Sequence, residues 1–248
     1  MNEEGGYLGA MTYQCLYSPV LEKLKSGHRD DPRAHAALNK LHNALTTCEQ
    51  ASPSFLYDLT KILLNDSELN VNLQESYLRM HDTSPTNDLI VSGFEHIEEY
   101  QELTRRAIEL RRVLSRVPEE MSDRHAFLET IKLIASSIKK LLEAINAVYK
   151  IVPPNAQPAV EKRKREFVHY SKRFSNTLKT YFKDQNANEV SVSANQLVFQ
   201  TTMINFSDDV YALDSSDDFY YSQYWLNCAL LLVNSTKKLG KYSIFPCK

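Results

Sequence analysis

The sequence predicts an all-α protein, and three observations carry that prediction. Phe127, Ile131, Ile134, Ile138, Leu141, Ile145 and Val148 follow one another at alternating intervals of four and three residues, the spacing of a helix-bundle seam. No convincing apolar–polar alternation of strand type occurs before residue 189. Gly and Pro are scarce, 6 and 9 in 248 residues, which argues against a linker-dominated chain and against an enzyme built on Gly-rich loops. With 43% hydrophobic residues the chain has enough apolar material for a real core and for one or two domains.

The elements follow in chain order. The first helix runs from about Leu8 to Leu24, with a break expected near Pro19 and an end near Gly27. Asp31-Pro32 has N-cap and first-turn character and opens a second helix, with Ala37, Leu38, Leu41, Ala44 and Leu45 along one side. Ser52-Pro53 repeats that start signal before a third stripe of Phe55, Leu56, Leu59, Ile62 and Leu63. Residues 71–80 (VNLQESYLRM) form a fourth short helix. Helices this short are not stable alone, so their apolar faces must pack against each other or against a second chain. These elements make an N-terminal domain, residues 1–80.

Residues 81–94 hold the clearest break, with Asp82, Ser84, Pro85, Asn87 and Gly93 as turn formers. The domain linker is expected here. From 95 to 205 the sequence reads as a four-helix bundle. Its first member, about 95–116, is a long charged helix with a narrow seam of Ile97, Tyr100, Ala107, Leu110 and Leu114, ending at Pro118. The Phe127–Val148 seam is the second. Pro153, Pro154 and Pro158 mark a turn before Phe167, Tyr170, Phe174, Thr177 and Tyr181, and a polar turn at 184–188 precedes Val190, Ala194, Leu197, Thr201 and Ile204. Residues 206–248 form an atypical acidic and aromatic tail, in which Tyr224 to Lys237 suits one amphipathic helix.

Charge and composition exclude several functions. Lys+Arg number 29 against 31 Asp+Glu, a formal net charge of −2, which gives no global reason to bind nucleic acid or an anionic membrane. No apolar stretch is long enough to span a bilayer. The first 30 residues, with Glu3 and Glu4, hold no signal-type apolar run. Cys15, Cys48, Cys228 and Cys247 are far apart, so a reducing, intracellular setting is expected rather than a disulfide framework. No phosphate loop, nucleophile elbow, zinc helix or kinase signature is present. The seven histidines are expected on the surface or at caps, and the adjacent carboxylate pairs point in different directions on a helix. No catalytic residue, cofactor or metal is expected. The N-x-S/T sequons at Asn65, Asn205 and Asn234 are read as chance matches.

The informative pattern is basic. Lys132 and Lys139 lie two helical turns apart with Ala135 between them; Lys172 and Lys179 repeat the spacing on the next helix with Ser175 between. If the helices are neighbours, small residues floor a groove and four ammonium groups rim it, a site for an acidic amphipathic helix. Spacing alone favours the plainer reading of four unrelated surface lysines. A second basic run, Lys162, Arg163, Lys164 and Arg165, suits phosphoinositide headgroups or is simply a solvated helix face.

The segments VPEEMSDRHAFLETIKLIASSIKKLLEAINAVYK (117–150), KREFVHYSKRFSNTLKTYFKD (164–184) and VSANQLVFQTTMI (192–204), preceded by NVNLQESYLRM (70–80), resemble the programmed cell death protein 10 family, also called the third cerebral cavernous malformation protein family. The resemblance covers roughly residues 9–204. It implies an N-terminal helical dimerisation domain, a linker helix and a C-terminal four-helix bundle of focal-adhesion-targeting-homology type. It also implies a non-catalytic adaptor that forms homodimers, or heterodimers with germinal-centre kinases of subfamily III, through Leu41, Ala44, Leu63 and Leu64. Lys132, Lys139, Lys172 and Lys179 match the lysines that rim the family's groove, with Ala135 and Ser175 at its floor. The implied partners there are paxillin-like leucine/aspartate motifs, striatin and the second cavernous malformation protein. Phosphoinositide contact is implied as well, without assigned residues; Lys162 to Arg165 are candidates from the basic run alone. So are roles in angiogenesis and apoptosis regulation and a cytoplasmic location with Golgi and peripheral plasma-membrane pools. The alternative reading is a peripheral phosphoinositide-binding module. Two departures from the family stand out: the segment SPTNDLIVSG within 81–94, and the tail after Ile204. An acidic stretch from Asp208 to Asp218 folding back onto the lysine groove is an expectation for that tail.

Overall fold

A computed structural model describes residues 3–84, 86, 89, 90 and 94–204. All regular structure among them is helical. The chain divides into two compact units between Pro85 and Thr86. The tail from residue 206 on, with its expected helix at Tyr224 to Lys237 and its expected return to the lysine groove, lies outside the described residues.

In the N-terminal unit the first helix begins earlier than the sequence suggests. Helix α1 spans Glu3–Thr12, a π-helical stretch follows at Tyr13–Tyr17, and α2 spans Ser18–Gly27. The irregularity thus sits just before Pro19 rather than at it. Proline lacks the N–H of the helical ladder and its ring crowds the carbonyl four residues back, and a π-type stretch absorbs both defects. Helix α3, Pro32–Ala51, is capped by the Asp31 carboxylate, which accepts from the backbone N–H groups of Arg33 and Ala34. Helix α5, Leu73–Met80, is capped in the same way by Asn72.

The start of α4, Phe55–Asp66, departs from the expected Ser52-Pro53 signal. The residue before it, Ser54, has φ +81° and gives no side-chain cap. The cap comes from the preceding helix: Glu49 Oε1 accepts from the Ser54 N–H at 2.8 Å and Oε2 from the Leu56 N–H at 2.9 Å. Space for that carboxylate exists because residue 9 of α1 is glycine. A Cβ at Gly9 would fall 1.6 Å from Glu49 Oε1. One carboxylate therefore ties α1, α3 and α4 together.

The core of this unit is Tyr7, Met11, Cys15, Leu21, Leu56, Leu73, Tyr77 and Leu78. Buried polar groups within it are paired, as burial requires. Tyr7 Oη donates to Gln74 Oε1 at 3.0 Å, and Thr12 Oγ1 and Tyr77 Oη lie 2.7 Å apart. Burial, opposed in part by the Thr12 hydroxyl, pushes the Tyr77 phenol well above its ordinary range. His81 corrects the expectation of surface histidines. It is buried, with its ring nitrogens 3.8 and 3.9 Å from Cys15 Sγ.

In the C-terminal unit four long helices form the bundle: α6 (Glu98–Ser115), α8 (Arg124–Ile151), α9 (Gln157–Asp184) and α10 (Ala187–Ile204). Pro118 does not simply end α6; it opens a single-turn helix, α7 (Val117–Glu120), in which a first-turn proline lacks no needed donor. Asp123 caps α8 through the His125 and Ala126 N–H groups. The expected seams of α8 and α9 are buried, apart from half-buried Tyr170 and Thr177. Helix α10 buries far more than its seam, including Ser191, Asn195, Gln196 and Thr202. Arg111 of α6, which is not part of the expected seam, is 1% exposed. Helices α6 and α8 are further linked by Lys140 Nζ to Glu109 Oε1 at 3.0 Å, with Arg106 Nη1 2.7 Å from the other carboxylate oxygen.

Two measurements check these points. Gly9→Ala should cost about 1–3 kcal/mol in thermal or denaturant unfolding, since the methyl must displace the Glu49 cap, whereas Ser54→Gly should stabilise by roughly 1 kcal/mol by removing a left-handed non-glycine residue; unchanged unfolding in Gly9→Ala would contradict the packing. Burial opposes ionisation of Glu109, yet Lys140 and Arg106 prevail and hold its carboxyl below the usual range. Its contribution is present above the unfolded-state pKa and is lost as pH falls through the lower folded-state value. Glu109→Gln should therefore lower stability near pH 7 by at most about 1 kcal/mol, the pair being partly exposed, and the difference should vanish in acid.

Candidate functional site

The lysine rows lie on two consecutive antiparallel helices of the C-terminal unit. The Phe127 ring meets Tyr181 edge-on at 5.5 Å and lies 5.9 Å from Phe182. This contact fixes the register: moving forward along α8 moves backward along α9. Lys132 then comes level with Lys179, Ala135 with Ser175, and Lys139 with Lys172, each to within a helical turn.

The same contact fixes which flank of α9 faces α8. Val168, Ser175 and Phe182 recur every seven residues along one side of α9, and Phe182 is the member that touches α8. Lys172 and Lys179 stand one step further out on that flank. On α8, Lys140 and Glu109 mark the side facing α6. Buried Ala135 and Leu142 lie on the opposite flank, with Lys132 and Lys139 outside them. Helices α8 and α9 meet more sparsely than the close pairs α6/α8 and α9/α10. In this register Ala135 and Ser175 lie between the lysine pairs of the two helices along the α8–α9 side of the bundle. Ala135 is 4% exposed, Ser175 and Lys172 are half-buried, and Lys132, Lys139 and Lys179 are exposed.

The rims differ in their own ion pairs. Lys132 Nζ lies 2.6 Å from Glu129 Oε1, and hydrogen bonding to Lys132 holds the Glu129 carboxyl below the usual range. Lys139 Nζ lies 3.8 Å from Glu143. Lys179 Nζ donates instead to the neutral Asn176 Oδ1 at 3.3 Å. The second basic run does not form one exposed cluster. Lys162 is exposed, but Arg163 pairs with Glu166, and Lys164 and Arg165 both pair with Glu161. Among the described residues no three His, Cys, Asp or Glu side chains converge in a way that could hold a metal ion.

In the N-terminal unit the apolar stripes of α3 and α4 divide differently. Helix α3 buries none of its 20 residues. Leu41 is 47% exposed, Ala44 is exposed, and Leu38 and Leu45 are only half-covered. On α4, Leu56 is buried, Leu64 is half-covered, and Ile62 and Leu63 are 57% and 55% exposed. Val20 and Leu24 of α2 are exposed too. Helix α3 touches α2 and α4, and Tyr13 Oη lies 2.5 Å from His42 Nδ1 of α3. Sequence reasoning named Leu41, Ala44, Leu63 and Leu64 but missed Glu49, Gly9 and Ser54, which hold α4 against α3. No local sequence signal marks Glu49 as a cap, because the helix it caps begins after its own ends.

Comparison with known proteins agrees with this layout. The model for the programmed cell death protein 10 dimerisation domain matches residues 5–70, and the model for the C-terminal region of programmed cell death protein 10 matches residues 71–168. The second match ends within α9, short of Lys172, Ser175 and Lys179. The chain is also 89% identical over 204 residues to the programmed cell death protein 10 homolog of Caenorhabditis elegans, covering 82% of this chain and 95% of that relative. With a matched dimerisation domain, a matched C-terminal region and identity at this level, the chain belongs to the programmed cell death protein 10 family.

Proposed function

We propose that the protein is a non-catalytic scaffold with two docking faces. The observation that carries this reading is the unburied apolar stripe of α3: a 20-residue helix that buries none of its residues is explained by a partner chain that covers it. A matched dimerisation domain supports self-association as one such partnership. The stripe of Leu41 and Ala44, together with Leu63 and Leu64, also accepts the C-terminal tails of germinal-centre kinases of subfamily III, in exchange for the second copy.

The second face is the channel between α8 and α9. Four lysines at two levels, over a floor containing Ala135 and Ser175, suit an amphipathic helix with apolar anchors below and carboxylates on both sides. Paxillin-like leucine/aspartate motifs, striatin and the second cerebral cavernous malformation protein are the partners proposed for it. Function is then effective concentration: a kinase held at one face is kept beside the complex held at the other. We place this activity in the cytoplasm, with Golgi and peripheral plasma-membrane pools, and link it to survival signalling and angiogenesis. A phosphoinositide module built on Lys162 to Arg165 has less support, because Glu161 and Glu166 already engage three of its four cations.

Two experiments test the reading. Leu41→Asp or Leu63→Asp should weaken both self-association and kinase-tail pairing by tenfold or more, on the order expected for an interface anchor, as read by light scattering after size exclusion; a normal dimer and heterodimer in both variants would contradict the N-terminal assignment. The double variant Lys132→Glu/Lys172→Glu should weaken binding of an acidic amphipathic peptide by roughly tenfold or more while leaving thermal unfolding unchanged. Equal peptide affinity would contradict the assignment of this face.

A further inference from the structure

An acidic helix that enters the channel meets an α8 rim whose lysines are already engaged. Glu129 sits three residues before Lys132 and Glu143 four residues after Lys139. At that spacing the partners meet on the surface of one helix without any tertiary contact, so the pairs form before any ligand arrives. Side-chain exposure of all four groups lies between 46% and 64%, so none is needed for the core. Across the channel Lys179 is bonded to an amide oxygen and not to a carboxylate.

We propose that Glu129 and Glu143 set the affinity of the channel by acting as internal stand-ins for the carboxylates of a ligand helix. The inference rests on the channel reading above and adds a selection rule to it. A ligand carboxylate arriving at Lys132 exchanges one ion pair for another and also faces the negative charge of Glu129. At Lys179 it replaces a neutral contact by a charged one, and charge-assisted hydrogen bonds are the stronger kind. The channel therefore discriminates against weakly acidic helices. It admits those that present a carboxylate to Lys179 or carry enough of them to displace both glutamates. Glu129 contributes more than Glu143, since its pair is 2.6 Å against 3.8 Å.

The test uses the full chain and a synthetic amphipathic helix with two aspartates seven residues apart flanking its leucines, with the Asp→Asn peptide as control. Affinity is read by titration at two salt concentrations. Glu129→Gln should tighten binding of the aspartate peptide about two- to fivefold, the scale of one exposed ion pair, and Glu143→Gln should do so by less. The gain should disappear in Glu129→Gln/Lys132→Gln and with the asparagine peptide. Glu68→Gln, the same charge change in the other unit, should have no effect. No gain from Glu129→Gln, a gain that survives loss of Lys132, or an equal gain from Glu68→Gln would each overturn the proposal. If Lys132→Glu/Lys172→Glu weakens the peptide while Glu129→Gln leaves it unchanged, this inference alone fails. If the lysine reversals leave binding intact, the channel reading fails with it.

Discussion

Apolar surface that a chain cannot cover from within is the constraint on which the rest of this structure depends. A helix with an apolar stripe must lay that stripe against something. Most stripes here find a partner in their own unit: α6 closes on α8, and α9 on α10. Helix α3 does not, and its Leu41 and Ala44 remain exposed. The α8–α9 side of the bundle meets more sparsely than the α6–α8 and α9–α10 pairs. Both faces assigned to partners are thus places where internal burial stops short.

An exposed apolar face is useful only if it holds its shape without the partner. In the N-terminal unit one carboxylate ties the face to the helices beneath it. Glu49, near the end of α3, supplies the two acceptors that the first turn of α4 needs and occupies the space left by the missing side chain of Gly9. Without it, orphan N–H groups at the α4 start would have to find water. The arrangement fixes α4, with its exposed Ile62 and Leu63, relative to α3, and it costs Ser54 a left-handed backbone conformation.

Electrostatics act on a different scale. The surface carries many i,i+3 and i,i+4 pairs, each worth little for stability. Their effect is on what the surface offers to others. Glu161 and Glu166 quiet the basic run at 162–165, and Glu129 and Glu143 occupy the lysines of one rim. Counting cations in the sequence overstates the positive field that a partner meets, because the compensating carboxylates lie one turn away on the same helix.

The sequence by itself determined what is local. Heptad spacing located α8 and α9, and Asp31 marked a helix start whose cap the structure contains. The seven-residue repeat of Lys132, Lys139, Lys172 and Lys179 is likewise a property of one helix at a time. Such signals act within a turn or two. Only the tertiary structure decided the rest. It moved the irregularity of the first helix ahead of Pro19, supplied the α4 cap from Glu49, buried Arg111 and His81, and left α3 uncovered. It also set the register in which the two lysine rows come level, through the contact of Phe127 with Tyr181 and Phe182. These outcomes depend on which surfaces meet across many residues of sequence. Periodicity states that a helix has an apolar side; it does not state what that side will face.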